Sequence, residues 1–144
     1  MTSTIEDTLD HALFLCRHLK HCDFECATIA VLMELGVPTK SVGFDYLKPA
    51  VILFRADPTQ VITKELYPAV GKAYGSNPGY AQIERGIRRA ISEAWKSRDE
   101  SIWKCYFPSG LDGNIGKPTN AEFISRVARF LELWHGCREE INHG

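Results

Sequence analysis

The sequence lacks most of what would carry it into a membrane, out of a cell or through a covalent reaction. No apolar run approaches the ~20 residues that span a bilayer, so no transmembrane helix is expected. The N-terminus, MTSTIEDTLDHALFLC, has acids where a secretory signal has bases. That argues against export and for a cytoplasmic location. Its five cysteines are an odd, irregularly spaced set, which fits reduced thiols better than a disulfide framework. Sustained period-two alternation is missing, so no strand is expected, and there are no repeats or low-complexity segments. The formal net charge is only −1, which removes the overall basicity common in nucleic-acid binders.

Reactive constellations are equally scarce. No nucleophile–base pair stands at suggestive spacing and no dinucleotide fingerprint is present. The Gly113–Gly116–Lys117 loop fails as a phosphate cradle, because Leu111 replaces the first glycine and Pro118 the Ser or Thr. His18, His21, Cys22 and Cys26 do not follow a zinc spacing, and Cys105 and Cys137 are isolated. Neither a metal nor a cofactor is expected, and the chain does not read as an enzyme.

What is present is helical periodicity. A chain of this length supports one domain with a core of its own. Ile5–Lys20 carries Ile5, Leu9, Ala12, Leu13, Cys16 and Leu19 near helical spacing. Phe24–Leu35 is apolar nearly all round, as a central helix would be, and stops at Gly36 and Pro38. Phe44–Arg55 ends before Asp57-Pro58, since the residue ahead of proline is pushed out of helical dihedrals. Asp99–Phe107 offers Ile102, Trp103 and Tyr106 as core anchors. A loop over 108–117 then leads to a last helix, Thr119–Arg138. A Thr119/Glu122 capping box opens that helix, and Phe123, Val127, Phe130, Leu131 and Trp134 face inward. The tail from Glu139 is expected to fray.

The stretch from Val61 to Arg98 is different in kind. It reads as two helices joined by the turn Gly75-Ser76-Asn77-Pro78-Gly79, with Pro68 starting or kinking the first helix. Gly71 and Gly75 stand where small residues allow close helix approach and a tight turn. Asn77 and Pro78 suggest an N-cap and first helical position for the second helix, at about 79–98. In that helix Ile83, Ile87, Ala90, Ile91 and Ala94 make one stripe, with Gln82, Arg85 and Arg89 opposite. This is what a helix-turn-helix reader of DNA needs, and it also describes an ordinary solvated amphipathic helix. Charge distribution permits the former without demanding it. Residues 1–25 hold two bases against five acids, −3, whereas 82–104 hold six bases against four acids, +2.

From about Ala27 to Leu133 the chain resembles the C-terminal DNA-binding domain of the stage-zero sporulation response regulator A family. The resemblance rests on ordered landmarks: ELGVP at Glu34–Pro38, Gly43-Phe44-Asp45-Tyr46-Leu47, Ile62-Thr63-Lys64 and Leu66-Tyr67-Pro68. The most specific are IERGIRRAISEAW from Ile83 to Trp95 and KPTNAEFI from Lys117 to Ile124. The resemblance implies an all-α, six-helix helix-turn-helix domain over 24–140, with 1–23 as an extra N-terminal helical extension. It also implies a promoter-binding regulator of transcription in sporulation, with double-stranded DNA as partner. A homodimer or tandem assembly, RNA polymerase and a full-length regulator are the protein partners this reading allows.

Carried over by position, the DNA-reading residues are Gln82, Glu84 and Arg85, with Arg88 and Arg89 alongside and Lys96 near phosphate. Glu84 and Arg85 match the family's residue types. Gln82 does not, since the family generally has arginine there. Arginine pairs with guanine and glutamine with adenine, so an altered DNA box is expected. The turn is longer than the common form. Only about two dozen residues precede the resemblance, too few for the family's phospho-acceptor receiver. Control by some other means is therefore expected. A competing reading makes the chain an interaction protein with weak or no DNA binding. In that reading the Ile5–Lys20 helix either docks a partner or packs back on its own domain.

Overall fold

The computed structural model describes residues 4–107 and 116–143, and the described residues are entirely helical apart from connections. Seven α-helices follow one another: α1 Thr4–His18, α2 Phe24–Glu34, α3 Val42–Ala56, α4 Tyr67–Tyr74, α5 Tyr80–Lys96, α6 Glu100–Tyr106 and α7 Asn120–His143. The six from α2 onward correspond to the expected all-α domain, and α1 is the added N-terminal helix.

Local chemistry sets most boundaries. The Asp23 side chain accepts from the Cys26 amide at 2.8 Å and starts α2. Gly36, at φ 87°, ends it in a Schellman arrangement. There Val37 N–H bonds to the Leu32 carbonyl and Gly36 N–H to that of Met33, each at 3.0 Å. Ser41 caps α3 through the Phe44 amide at 3.1 Å, so this helix starts two residues before the expected Phe44. Pro49 lies within α3, where it removes one backbone donor.

Pro68 falls in the first turn of α4. Ahead of it, Ile62–Leu66 is a single π-helical turn, with Leu66 N–H reaching back to Val61 at 3.2 Å. A proline has no N–H for an i→i−4 bond, and the wider turn accommodates that gap. The expected capping box is present at α7. The Thr119 amide donates to Glu122 Oε1 and the Glu122 amide to Thr119 Oγ1, both at 3.1 Å.

The core is built around α3 and α7. Tyr46, Leu47, Ala50 and Val51 from α3 meet Phe123, Val127, Leu131 and Trp134 from α7, all essentially inaccessible to solvent. Trp103 of α6 is fully buried and donates its indole N–H to the Leu35 carbonyl at 3.1 Å. Tyr106 is buried with it, whereas Ile102 is only partly covered. The α1 helix packs on α7 and α6, as the self-packing alternative requires.

Three sequence expectations need correction. The inward face of α1 is Ala12, Leu15 and Cys16, flanked by Leu19, while Leu9 and Leu13 lie outward. Apolar residues wrap so much of α1 that periodicity does not single out the arc that α6 and α7 cover. Asn77 and Pro78 do not open α5. Asn77 is left-handed at φ 51°, Pro78 precedes the helix, and Gly79 is the N-cap residue without a side-chain bond. The last helix runs past its expected end near Arg138, continuing through His143. Most of the expected 108–117 loop, residues 108–115 with Leu111 and Gly113, lies outside the described residues, as does Gly144.

Candidate nucleic-acid interface

The α4–turn–α5 unit gets its shape from two glycines. Gly75 takes φ 99° and reverses the chain after α4. Gly71 has no side chain to hold the turn away. A Cβ there would stand 3.1 Å from both Asn77 Oδ1 and the Pro78 carbonyl. The extra turn residues thus fold back onto α4. Beyond them α5 buries Ile83, Ile87, Ala90, Ile91 and Ala94, the stripe read from the sequence.

Three further contacts fix α5 on the domain. Gly43 of α3 lies directly against the backbone at Gly86. Tyr46 is buried beneath the same turn, its ring beside Gly86 and edge-to-face with Tyr74 at 5.1 Å. The Tyr46 hydroxyl lies near Gln82 without reaching hydrogen-bond geometry. Burial, ahead of the neighbouring Tyr74 and Asp45, raises its pKa, so the phenol stays protonated. From the other side, Asn120 at the start of α7 donates its amide to the Glu84 carbonyl at 3.0 Å and to the Tyr67 hydroxyl at 3.2 Å.

The outward face of α5 then sorts the expected residues into groups. Gln82, Arg85 and Arg89 are exposed and line one groove of about 370 Å³ with Pro38 and Ser41 from the α2–α3 connection and Val42 at the start of α3. Neither arginine has an acidic partner among the described residues. Glu84 and Arg88 belong to the opposite flank, where they are joined in an i, i+4 ion pair. Lys96 sits about two turns further on, 3.5 Å from Glu93 with its side chain 72 % exposed. So bound, Glu84 and Arg88 partly neutralise each other, while Arg85 and Arg89 keep their full charge for an anionic partner.

One residue escaped the sequence reading. Lys117, exposed in the segment before α7, donates to Ser92 Oγ at 2.7 Å and so places its ammonium on the α5 surface. The sequence offered it only as the lysine of the failed phosphate loop and as part of the KPTN landmark, not as a neighbour of α5. The structure gives that landmark a physical content: Lys117 meets α5, Pro118 is buried, Thr119 caps α7 and Asn120 holds the α5 backbone.

The α5 surface thus carries a row of exposed basic side chains between two grooves. No group of three or more His, Cys, Asp or Glu able to hold a metal occurs among the described residues, nor is any of the helices long and apolar enough to cross a membrane. A family model described as "Sporulation initiation factor Spo0A C terminal" matches residues 28–131, from the first turns of α2 into α7 and including the whole α4–α5 unit. The chain belongs to that family, the helical helix-turn-helix DNA-binding effector domains of the sporulation regulator.

Proposed function

We propose that the protein is a sequence-specific regulator of transcription, located with the DNA in the cytoplasm, that reads a promoter box by laying α5 in the major groove. The carrying observation is the pair Arg85 and Arg89, exposed and without an acidic partner among the described residues, on a helix clamped by Asn120 and Gly43. A major groove about 12 Å wide admits one helix, and the first turns of a reading helix are the part that reaches base edges. Arg85 and Gln82 occupy those turns. Arg85 suits a bidentate contact with guanine, and Gln82 suits adenine. Glu84 accepts from a cytosine amino group once released from Arg88, or keeps the pair to orient its neighbours. Arg88, Arg89 and Lys96 are then phosphate contacts, which set register without reading sequence. RNA polymerase or a full-length regulator is the protein partner on DNA, where a homodimer or tandem copies would form.

In vitro selection from a random duplex pool tests this reading. The expected product is a defined box with adenine opposite Gln82. Recovery of an unenriched pool would remove sequence-specific binding. A box requiring guanine opposite Gln82 would remove that residue's role.

A further inference from the structure

Two cysteines unrelated to the α5 surface come together where α1 turns into α2. The sulfurs of Cys22 and Cys26 are 2.6 Å apart. Cys22 is partly exposed, in the connection just after α1, and Cys26 is exposed in the first turn of α2. Asp23 between them holds that turn by capping the Cys26 amide. The separation exceeds the ~2.05 Å of a disulfide by only about half an ångström, so little movement would close it. With no third ligand to complete a metal site among the described residues, the pair is left with thiol chemistry.

Two of the other three cysteines are buried. Cys16 is buried, and its thiol is pushed up to about 11, chiefly by burial and then by the neighbouring Cys137. Cys105 is buried and likewise pushed up to about 11, first by burial and then by Asp7. Neither offers a thiolate near neutral pH.

We propose that Cys22 and Cys26 form a redox-active dithiol that closes to an intramolecular disulfide by exchange with a low-molecular-weight disulfide. The Cys26 thiolate attacks one sulfur of the small disulfide, forming a mixed disulfide and releasing one small thiolate. The Cys22 thiol then loses its proton to solvent, and its thiolate attacks the Cys26 sulfur and expels the second small thiolate. Two electrons and two protons leave the protein, and one small disulfide becomes two thiols. The order follows from exposure, because Cys26 is the sulfur an oxidant reaches first. It also agrees with the Cys22 thiol being pushed up to about 11, first by its hydrogen bond to Cys26 and then by burial. That hydrogen bond ends when Cys26 is modified, and Cys22 is then free to resolve the adduct.

The site is tied to the rest of the fold. The Cys22 carbonyl accepts from the Arg138 guanidinium, which also stacks over Trp134 at 4.6 Å to its ring centre. Closure would therefore fix the α1–α2 connection beside α7.

The test uses the full chain, equilibrated in mixtures of oxidised and reduced glutathione, acid-quenched and alkylated with N-ethylmaleimide. Intact mass counts the thiols, and cleavage after Phe24 or Glu25 separates the two cysteines. The wild-type protein is expected to lose two hydrogens, with Cys22 linked to Cys26 and Cys16 and Cys105 still reduced. Cys22→Ser should accumulate glutathione on Cys26, at least about tenfold above wild type, because intramolecular resolution is gone. Equal accumulation in both proteins would overturn the proposal. So would a Cys22–Cys26 pair still alkylated under conditions that oxidise Cys137.

Discussion

Gly43 in α3 and Gly86 in α5 meet backbone to backbone. A methyl group on Gly43 would stand 2.2 Å from the Gly86 carbonyl oxygen and 2.5 Å from the Ala90 Cβ. Real Cβ atoms do not come this close, and the obstacle is helix backbone rather than a movable side chain. Gly43→Ala must push α5 away from α3, at a cost of about 3 kcal/mol or more. Urea denaturation measures it. Gly86→Ala should cost less, since its methyl would meet the Tyr46 ring at 3.0 Å. A Gly43→Ala protein within about 0.5 kcal/mol of wild type would show that the two helices are not locked at this point.

Asn120 should control the placement of α5 without touching DNA. Asn120→Ala removes the bonds to the Glu84 carbonyl and the Tyr67 hydroxyl, and leaves the partly buried partners unsatisfied. A loss of about 1–3 kcal/mol in folding stability is expected. Affinity for the selected DNA should fall while the preferred bases stay the same. A change in base preference instead would mean that Asn120 itself reads DNA.

Arg85 and Lys96 should fail differently. Arg85→Ala is expected to lose about 1–3 kcal/mol and relax one base position. Lys96→Ala should weaken all sequences alike and lower the slope of log affinity against log salt by about 1. Binding isotherms across a salt series separate the two. An Arg85→Ala protein with unchanged affinity at fixed salt would take Arg85 off the reading face.

Tyr106 makes stability fall in alkali. Its hydroxyl donates to Glu34 Oε2 at 2.7 Å, and burial, followed by the Glu34 charge, raises its pKa above the ordinary 10. The folded state therefore keeps a proton that the unfolded state gives up above about pH 10. The contribution is complete below that pH and is lost as pH rises, by up to about 1.4 kcal/mol per unit. Denaturation at pH 9 and 11 should show a smaller drop for Tyr106→Phe than for wild type. Equal drops would assign the alkaline loss to other groups, among them Tyr46 and Tyr67, which are shifted the same way.

The α5 helix was the most legible element because both of its faces are encoded locally. A stripe of Ile and Ala against Gln and Arg leaves one way to bury it, and Ile83, Ile87, Ala90, Ile91 and Ala94 are all inside. The same held for the Thr119/Glu122 cap and for Gly36, where a short-range bond or one positive φ sets a boundary. The α1 helix was less legible, since Leu9, Leu13 and Phe14 are as apolar as the residues it buries. With Leu9 40 % and Phe14 51 % exposed, its apolar surface is only partly used.

The amino-acid order alone determined an all-helical chain, the place of the turn and the residue types offered on the α5 face, because these depend on neighbours within a few positions. Tertiary structure decided which of those residues keep their charge and where α5 stands. Glu84 turns to Arg88, Arg85 and Arg89 stay unpaired among the described residues, Lys117 arrives from 25 residues away, and Asn120 and Gly43 hold the helix backbone from opposite sides. Such contacts join distant segments, and only packing of the whole core brings those segments together.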